Sequence, residues 1–170
     1  ITPDESRVVY LADQDTDEVC ELYVVPIAGG QAPLKLNAPL VAGGDVSARV
    51  PGLHQNWPYL ISPDGTHVVY RADQEVDERD ELYVVPLAGG PVRQLNGPLP
   101  SGGTVRRFAV SPDSSRAVYI ANEETLDRSE LWSVPLDGSA PRVKLNGPVV
   151  AWGGVQDSTV IPFRISSAGR

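Results

Sequence analysis

The stretch ISPDGTHVVYRADQEVDERDELYVVPLAGG, residues 61–90, indicates the architecture because the chain contains it in three versions. Residues 1–30 and 110–139 align with it without gaps. Each version is followed by a similar tail with a Leu-Asn pair and a glycine-rich bend. Self-similarity at a period of this length indicates a repeat architecture, in which each copy forms one supersecondary unit.

Each copy predicts four short antiparallel strands and no helix. In the third copy, runs of β-branched and aromatic residues bounded by turn residues predict strands at 107–111, 115–121, 130–136 and 142–146. A Pro-Asp turn follows the first strand, and a glycine turn ends the third. Four meandering strands per repeat are typical of a β-propeller blade, so the fold class is predicted to be all-β.

The second strand of each copy is apolar on both faces. One face carries Val9, Val69 and Val118, and the other carries Tyr10, Tyr70 and Tyr119. Strands that are covered on both sides by neighbouring sheets have this composition, whereas a sheet open to water on one side alternates with polar residues.

The repeat boundaries predict a single propeller segment over residues 1–170. Its repeats span 1–60, 61–109 and 110–164, and a fourth copy starts at 165–170. The first copy lacks its first strand, and a lone first strand is predicted at 158–166. Three blade equivalents are half of a six-bladed ring or a fragment of a longer propeller. Two chains that exchange the terminal strand would close such a ring, which favours a homodimer.

The composition of the chain restricts the classes of partner that it can bind. The net charge of −8 and the pI near 4.7 argue against a nucleic-acid partner, which requires clustered Lys and Arg. No run approaches the roughly 18 apolar residues needed to span a bilayer, so no membrane insertion is expected. The chain has no Met, so Ile1 is not an initiator and the chain is expected to be a processed product or a piece.

The pattern SPDG…VVY…ELYVVPLAGG…LN resembles the TolB-like, or PD40, propeller repeat, a relative of the WD40 repeat. The resemblance covers essentially the whole chain, with Glu5 and Ser114 as departures at the glycine position of the turn. It implies an extracytoplasmic location, periplasmic or secreted, in a bacterium. Repeats of this family occur in periplasmic interaction proteins and in the propeller domains of prolyl-oligopeptidase-like peptidases.

No catalytic constellation is recognisable. The chain has no G-x-S-x-G nucleophile elbow. Its two histidines are His54, in the long insertion of the first copy, and His67, at a position that Arg7 and Arg116 occupy in the other copies. The lone Cys20 occupies a variable repeat position and is expected to be a tolerated substitution. The chain is therefore predicted to be non-enzymatic.

The loops between the second and third strands are acidic, which raises the question of a metal. Carboxylates alternate in the first two copies and are followed by a glutamate: Asp13, Asp15, Asp17 and Glu21, then Asp73, Glu75, Asp77 and Glu81. Such oxygens suit Ca²⁺, which takes six to eight of them. The alternative is a solvated hairpin whose charges keep sheet edges from aggregating.

Three functions are compatible with these patterns. The first is a non-enzymatic binding or scaffold module that meets a protein or peptide through its loops. Its candidate contact residues are His54, Trp57 and Trp152, because aromatic side chains often anchor interfaces. The tryptophans could equally fill gaps between blades. The alternatives are the propeller portion of a prolyl-oligopeptidase-like hydrolase and a calcium-stabilised extracellular structural repeat.

Overall fold

The computed structural model of the chain describes residues 1–46, 57–150, 154–155 and 165–166. These residues form three antiparallel sheets, and none of them forms a helix that could cross a membrane. The strands are β1 (Arg7–Ala12), β2 (Glu21–Pro26), β3 (Leu34–Lys35), β4 (Tyr59–Ile61), β5 (His67–Ala72), β6 (Glu81–Pro86), β7 (Arg93–Gln94), β8 (Val105–Val110), β9 (Arg116–Ala121), β10 (Glu130–Pro135) and β11 (Val143–Lys144).

Each sheet is a meander that follows chain order, which confirms the predicted all-β blades. Blade 1 contains β1 to β3, blade 2 contains β4 to β7, and blade 3 contains β8 to β11. Blade 1 has three strands in the described residues, as the first copy predicted. In blade 3 the first strand starts earlier than predicted, at Val105, because a register shift between Val105 and Arg107 adds a bulge. The strand predicted at 158–166 lies largely outside the described residues.

The blades stack through two apolar faces, which we call forward and backward. The forward face of one blade, typified by Val9, Leu22 and Val24 in blade 1, packs on the backward face of the next, typified by Tyr70 and Tyr83. The same contact joins blades 2 and 3, where Val69, Leu82 and Val84 meet Ala117, Tyr119 and Trp132. Blade 2 is therefore covered on both sides, and each of its faces belongs to one of the two hydrophobic core clusters.

The recurring Leu-Asn pair ends the fourth strand by a side-chain contact. The Oδ1 of Asn96 accepts the backbone N–H of Leu82 at 2.7 Å, and its Nδ2 donates to the carbonyl of Gly97. Asn37 and Asn146 do the same in blades 1 and 3. The asparagine thus continues the ladder where β7 has ended, so a buried N–H keeps its partner.

The Pro-Asp turn is organised by one carboxylate per blade. Each of these aspartates accepts hydrogen bonds from the hydroxyl two residues before it and from the N–H and hydroxyl two residues after it: Asp4, Asp64 and Asp113. The third turn residue is left-handed in all three, as Glu5, Gly65 and Ser114 have φ of 58°, 70° and 61°. The two departures from glycine therefore keep the conformation that glycine favours.

These hydrogen bonds make the turns sensitive to acid. They lower the pKa of Asp4 and of Asp113 to about 2, and at Asp64 they outweigh burial, which raises it, so that its pKa is also about 2. A lowered folded-state pKa contributes stability that is present above the usual aspartate pKa and is lost as pH falls towards 2. We expect the unfolding temperature to fall less between pH 4 and pH 2 when Asp4, Asp64 and Asp113 are changed to Asn.

Circular dichroism melts at pH 2, 3, 4 and 7 measure this difference. Asp17→Asn is the matched control, because Asp17 lies on an exposed loop and accepts none of these turn bonds. Equal pH slopes for the triple variant and the control would contradict the assignment.

Candidate binding face

One end of the propeller is strongly acidic. The loops 13–20, 73–80 and 122–129 join the second and third strands of the three blades and hold 12 of the 22 acidic residues, against two of the 14 basic ones. We call this end the acidic face. Nine of its carboxylates are exposed: Asp13, Asp15, Asp17, Glu18, Glu75, Asp77, Glu78, Glu124 and Asp127.

In blade 1 a lysine from the fourth strand neutralises this charge locally. The Nζ of Lys35 lies 2.7 Å from both Asp15 and Glu21, and Glu21 also accepts the hydroxyl of Tyr23 at 3.0 Å. The contacts with Asp15 and Glu21 raise the pKa of Lys35, and the lysine lowers the pKa of Asp15. The sequence analysis offered calcium or a solvated hairpin for these carboxylates, and the structure pairs Asp15 and Glu21 with an ammonium group.

In blade 2 the carboxylates accept hydrogen bonds from backbone and neutral groups, and the Nε of Arg79 lies 3.7 Å from Glu81. Asp73 accepts the N–H of Asp45 at 2.5 Å and that of Glu78 at 3.0 Å, which joins the bend after blade 1 to the loop of blade 2. Glu81 accepts the hydroxyl of Tyr83 and the amide of Gln94, both at 3.0 Å. Gln94 stands where blade 1 has its lysine.

The eight predicted metal ligands therefore do not converge. In the part of the chain that the structure describes, no group of three or more His, Cys, Asp or Glu side chains could hold a metal ion. The reason is local for four of them, since Asp15, Glu21, Asp73 and Glu81 face lysine, tyrosine, glutamine and backbone N–H groups in separate blades. Calcium binding stays a prediction, and the geometry of these side chains does not favour it.

Blade 3 departs from this pattern at Glu130. Its carboxylate is fully buried, and neither oxygen has a hydrogen-bond partner among the described residues. The Nζ of Lys144 lies 4.0 Å from Glu130, because it pairs with Glu124 at 2.7 Å. The tyrosine of blades 1 and 2 is replaced by Trp132, which has no hydroxyl. Burial raises the pKa of Glu130, and Lys144 offsets part of this effect.

We expect Glu130→Gln to raise the unfolding temperature at pH 7, because it removes a buried negative charge. Since the folded-state pKa is raised, the wild type should gain stability relative to the variant as pH falls, and the gap should narrow. Glu81→Gln is the control, because it weakens a satisfied site and should lower the unfolding temperature. Melts of both variants at pH 5 and pH 7 test this; a shift of the same sign for both would contradict it.

Trp57 stands at the acidic face with 72% of its surface exposed. The carbonyl of its neighbour Pro58 accepts the N–H of Arg71, and Val46 pairs with Ala72, so both ends of the insertion meet the acidic end of β5. Two other candidates, His54 and Trp152, lie outside the described residues. Exposed apolar side chains also occur on the acidic loops, at Val76 (43%) and Leu126 (51%).

The opposite end has a cavity of about 310 Å³ between blades 2 and 3, lined in part by Asp64, His67 and Ser114. These residue types suggest a hydrolase triad, but their hydrogen bonds have another pattern. The Nδ1 of His67 faces the hydroxyl of Thr66 at 2.8 Å, and Ser114 Oγ accepts the backbone N–H of Asp64. A nucleophile needs a hydrogen bond to its base, and these contacts do not supply one.

Comparison with solved structures gives the same architecture. The chain is similar to a TolB-like protein from Agrobacterium tumefaciens, with 16% identity, a TM-score of 0.53 and coverage of 84% of this chain and 46% of that one. It has a β-propeller fold. The propeller is also similar to an oligogalacturonate lyase in complex with manganese, with 15% identity, a TM-score of 0.56 and coverage of 85% of this chain and 37% of that one.

The chain spans less than half the length of these two structures. No family model and no curated protein matches the chain. At this level of identity the comparison shows the fold, in agreement with the repeat pattern of the sequence.

Proposed function

We propose that the chain is a non-enzymatic binding module whose acidic face holds a basic protein or peptide segment. The observation that carries this proposal is Trp57, which presents 72% of its surface next to the acidic end of β5, on the end of the blades that carries nine exposed carboxylates. An exposed aromatic ring flanked by negative charge suits a segment with Lys or Arg next to an apolar side chain.

Two further features support this function. Val76 and Leu126 add exposed apolar surface to the loops of blades 2 and 3. The loop of blade 2 is also held by hydrogen bonds: Asp73 accepts the N–H of Glu78 in the same loop and that of Asp45 in the bend after blade 1, so this part of the face is held in place before a partner arrives. A preorganised surface loses less entropy on binding.

That the module is non-enzymatic is part of the proposal, as is its location outside the cytoplasm. The first is supported by the contacts of His67 and Ser114, which are made to Thr66 and Asp64 and not to each other. The second rests on the resemblance of the repeat to those of envelope and secreted proteins. The propeller portion of a hydrolase remains the alternative.

Selection from a random 12-residue peptide library on the immobilised chain tests the function. We expect enriched peptides to carry net positive charge and at least one large apolar residue. Their binding should weaken about tenfold or more in Trp57→Ala, and it should weaken as salt is raised.

The control is Trp132→Phe, because Trp132 is buried in the core between blades 2 and 3. This variant should bind the selected peptides as the wild type does. Enrichment of peptides without positive charge, or equal binding by Trp57→Ala, would overturn the proposal.

A further inference from the structure

One lysine of blade 1 pairs with two carboxylates at once. The Nζ of Lys35 lies 2.7 Å from Asp15, on the exposed loop, and 2.7 Å from Glu21, which is buried at the start of β2. A single ammonium group therefore neutralises one carboxylate that faces water and one that does not. This arrangement shows where the lysine of the fourth strand can reach in the fold of a blade.

The equivalent lysine of blade 3 pairs with only one of its two carboxylates. Glu124, Glu130 and Lys144 occupy the three equivalent positions. The Nζ of Lys144 lies 2.7 Å from Glu124 but 4.0 Å from Glu130, which exceeds the length of a hydrogen bond. The buried carboxylate also lacks the tyrosine hydroxyl that its counterparts in blades 1 and 2 accept. Glu130 is thus left without a hydrogen bond among the described residues.

The two carboxylates of blade 3 differ in their access to a partner. Glu124 has 49% of its side chain exposed and lies on the acidic face, two residues from the exposed Leu126. Glu130 is fully buried, so no partner can touch it. The ammonium group of Lys144 is near both, and its side chain is partly exposed. Because an ion pair this exposed is weak, the cation of a partner can replace Lys144 at Glu124.

We propose that Lys144 moves from Glu124 to Glu130 when the acidic face binds its basic segment, an inference that rests on the proposed function. A Lys or Arg side chain of the segment takes the Glu124 carboxylate, and repulsion between the two cations drives Lys144 away. Glu130 is the only other carboxylate within 4.0 Å of its Nζ among the residues that the structure describes. The resulting pair is the one that blade 1 already makes between its lysine and its buried glutamate. Glu130 is then a positioning residue, which contributes to affinity without touching the segment.

Blade 2 cannot make this exchange and therefore provides the control. Gln94 replaces the lysine there and donates to the buried Glu81 at 3.0 Å. Glu81 also accepts the hydroxyl of Tyr83, so its carboxylate has two hydrogen bonds without any lysine. Removing its charge should not change how the acidic face binds a cation.

Calorimetric titration with a synthetic peptide of alternating Lys and Leu residues tests the coupling. Glu130→Gln should weaken binding about fivefold or more, because the displaced Lys144 then meets no negative charge. Glu81→Gln should bind the peptide as the wild type does. Lys144→Gln removes the competing ammonium group and should bind more tightly, and in that background Glu130→Gln should have no further effect. A purely structural glutamate would not give this dependence on Lys144.

The crystal structure of Glu124→Gln without peptide tests the movement itself. Since this change leaves Glu130 as the one carboxylate near Lys144, its Nζ should lie within about 3 Å of Glu130. An Nζ that stays 4.0 Å away would overturn the inference. So would peptide binding that Trp57→Ala weakens and Glu130→Gln leaves unchanged, which would keep the proposed function. A wild type that does not bind the peptide would overturn both.

Discussion

Replacing Arg71 by Ala should lower the free energy of unfolding by about 3–5 kcal/mol. Its guanidinium group is 3% exposed and joins two blades. Nη1 donates to the backbone carbonyls of Val105 and Arg106, the latter at 2.6 Å, and Nε lies 3.4 Å from the carboxylate of Asp80. Alanine removes these contacts and leaves a partly buried carboxylate without this cation. Urea unfolding of the variant measures the loss.

The equivalent positions of the other two blades suggest a second substitution that should restore the stability lost at Arg71. At the positions of Arg71 and Asp80, blade 1 has Leu11 and Cys20, and blade 3 has Ile120 and Ser129. A blade with an apolar residue and a small residue is therefore stable in the same fold. We expect the double variant Arg71→Leu with Asp80→Ser to recover most of the loss.

The two single variants, Arg71→Leu and Asp80→Ser, complete a double-mutant cycle. Each should be less stable than the double variant, since each keeps one charge of the pair and removes the other. Additive effects of the two changes would show that the ion pair contributes nothing beyond its separate parts.

A second large effect is expected at Gly103, where the chain passes from blade 2 to blade 3. A Cβ atom there would lie 2.9 Å from the carbonyl oxygen of Asn122 and 2.9 Å from Pro100 Cδ. The oxygen belongs to the backbone of a strand-linked segment, so it cannot move aside without displacing one blade relative to the other. Gly103→Val should therefore cost about 3 kcal/mol, by overpacking the junction between the blades.

Gly147→Val is the matched control. Gly147 follows the Leu-Asn pair of blade 3, and a Cβ atom added there would meet no described atom within 4 Å. The change should alter the free energy of unfolding by less than about 0.5 kcal/mol, as surface substitutions do. A comparable loss in both variants would mean that glycine is required for backbone freedom and not for the close approach.

The blades could be predicted from the sequence because the turn residues, the strand pattern and the apolar faces of every repeat all indicate the same structure. Pro-Asp turns, glycine turns and strands with two apolar faces recur in register, so local and tertiary preferences point to the same sheets. Glu5 and Ser114 were recognised as occupants of a glycine position, and their left-handed φ values bear this out. The bulge near Arg107 was missed, because a single extra residue in a short strand changes no periodicity that a pattern can reveal.

The charged contacts of the acidic face could not be predicted from loop composition. The signal was present in the fourth strand, where Lys35 and Lys144 precede the Leu-Asn pair and blade 2 has Gln94. The meaning of that lysine depends on β2 and β3 being neighbours, which places its ammonium group over Glu21. Sequence spacing alone made the same carboxylates resemble a calcium loop.

The uniform stacking of forward on backward faces has a consequence for the history of the chain. Because every junction uses equivalent positions, a duplicated or deleted unit of one blade leaves the remaining junctions intact. Such a protein can change its number of units by whole-repeat recombination without inventing a new interface. Substitutions in one repeat can then accumulate independently of the other repeats. Blade 2, for example, has the charged pair Arg71 and Asp80 where blade 1 has Leu11 and Cys20, so equivalent junctions differ in their side chains.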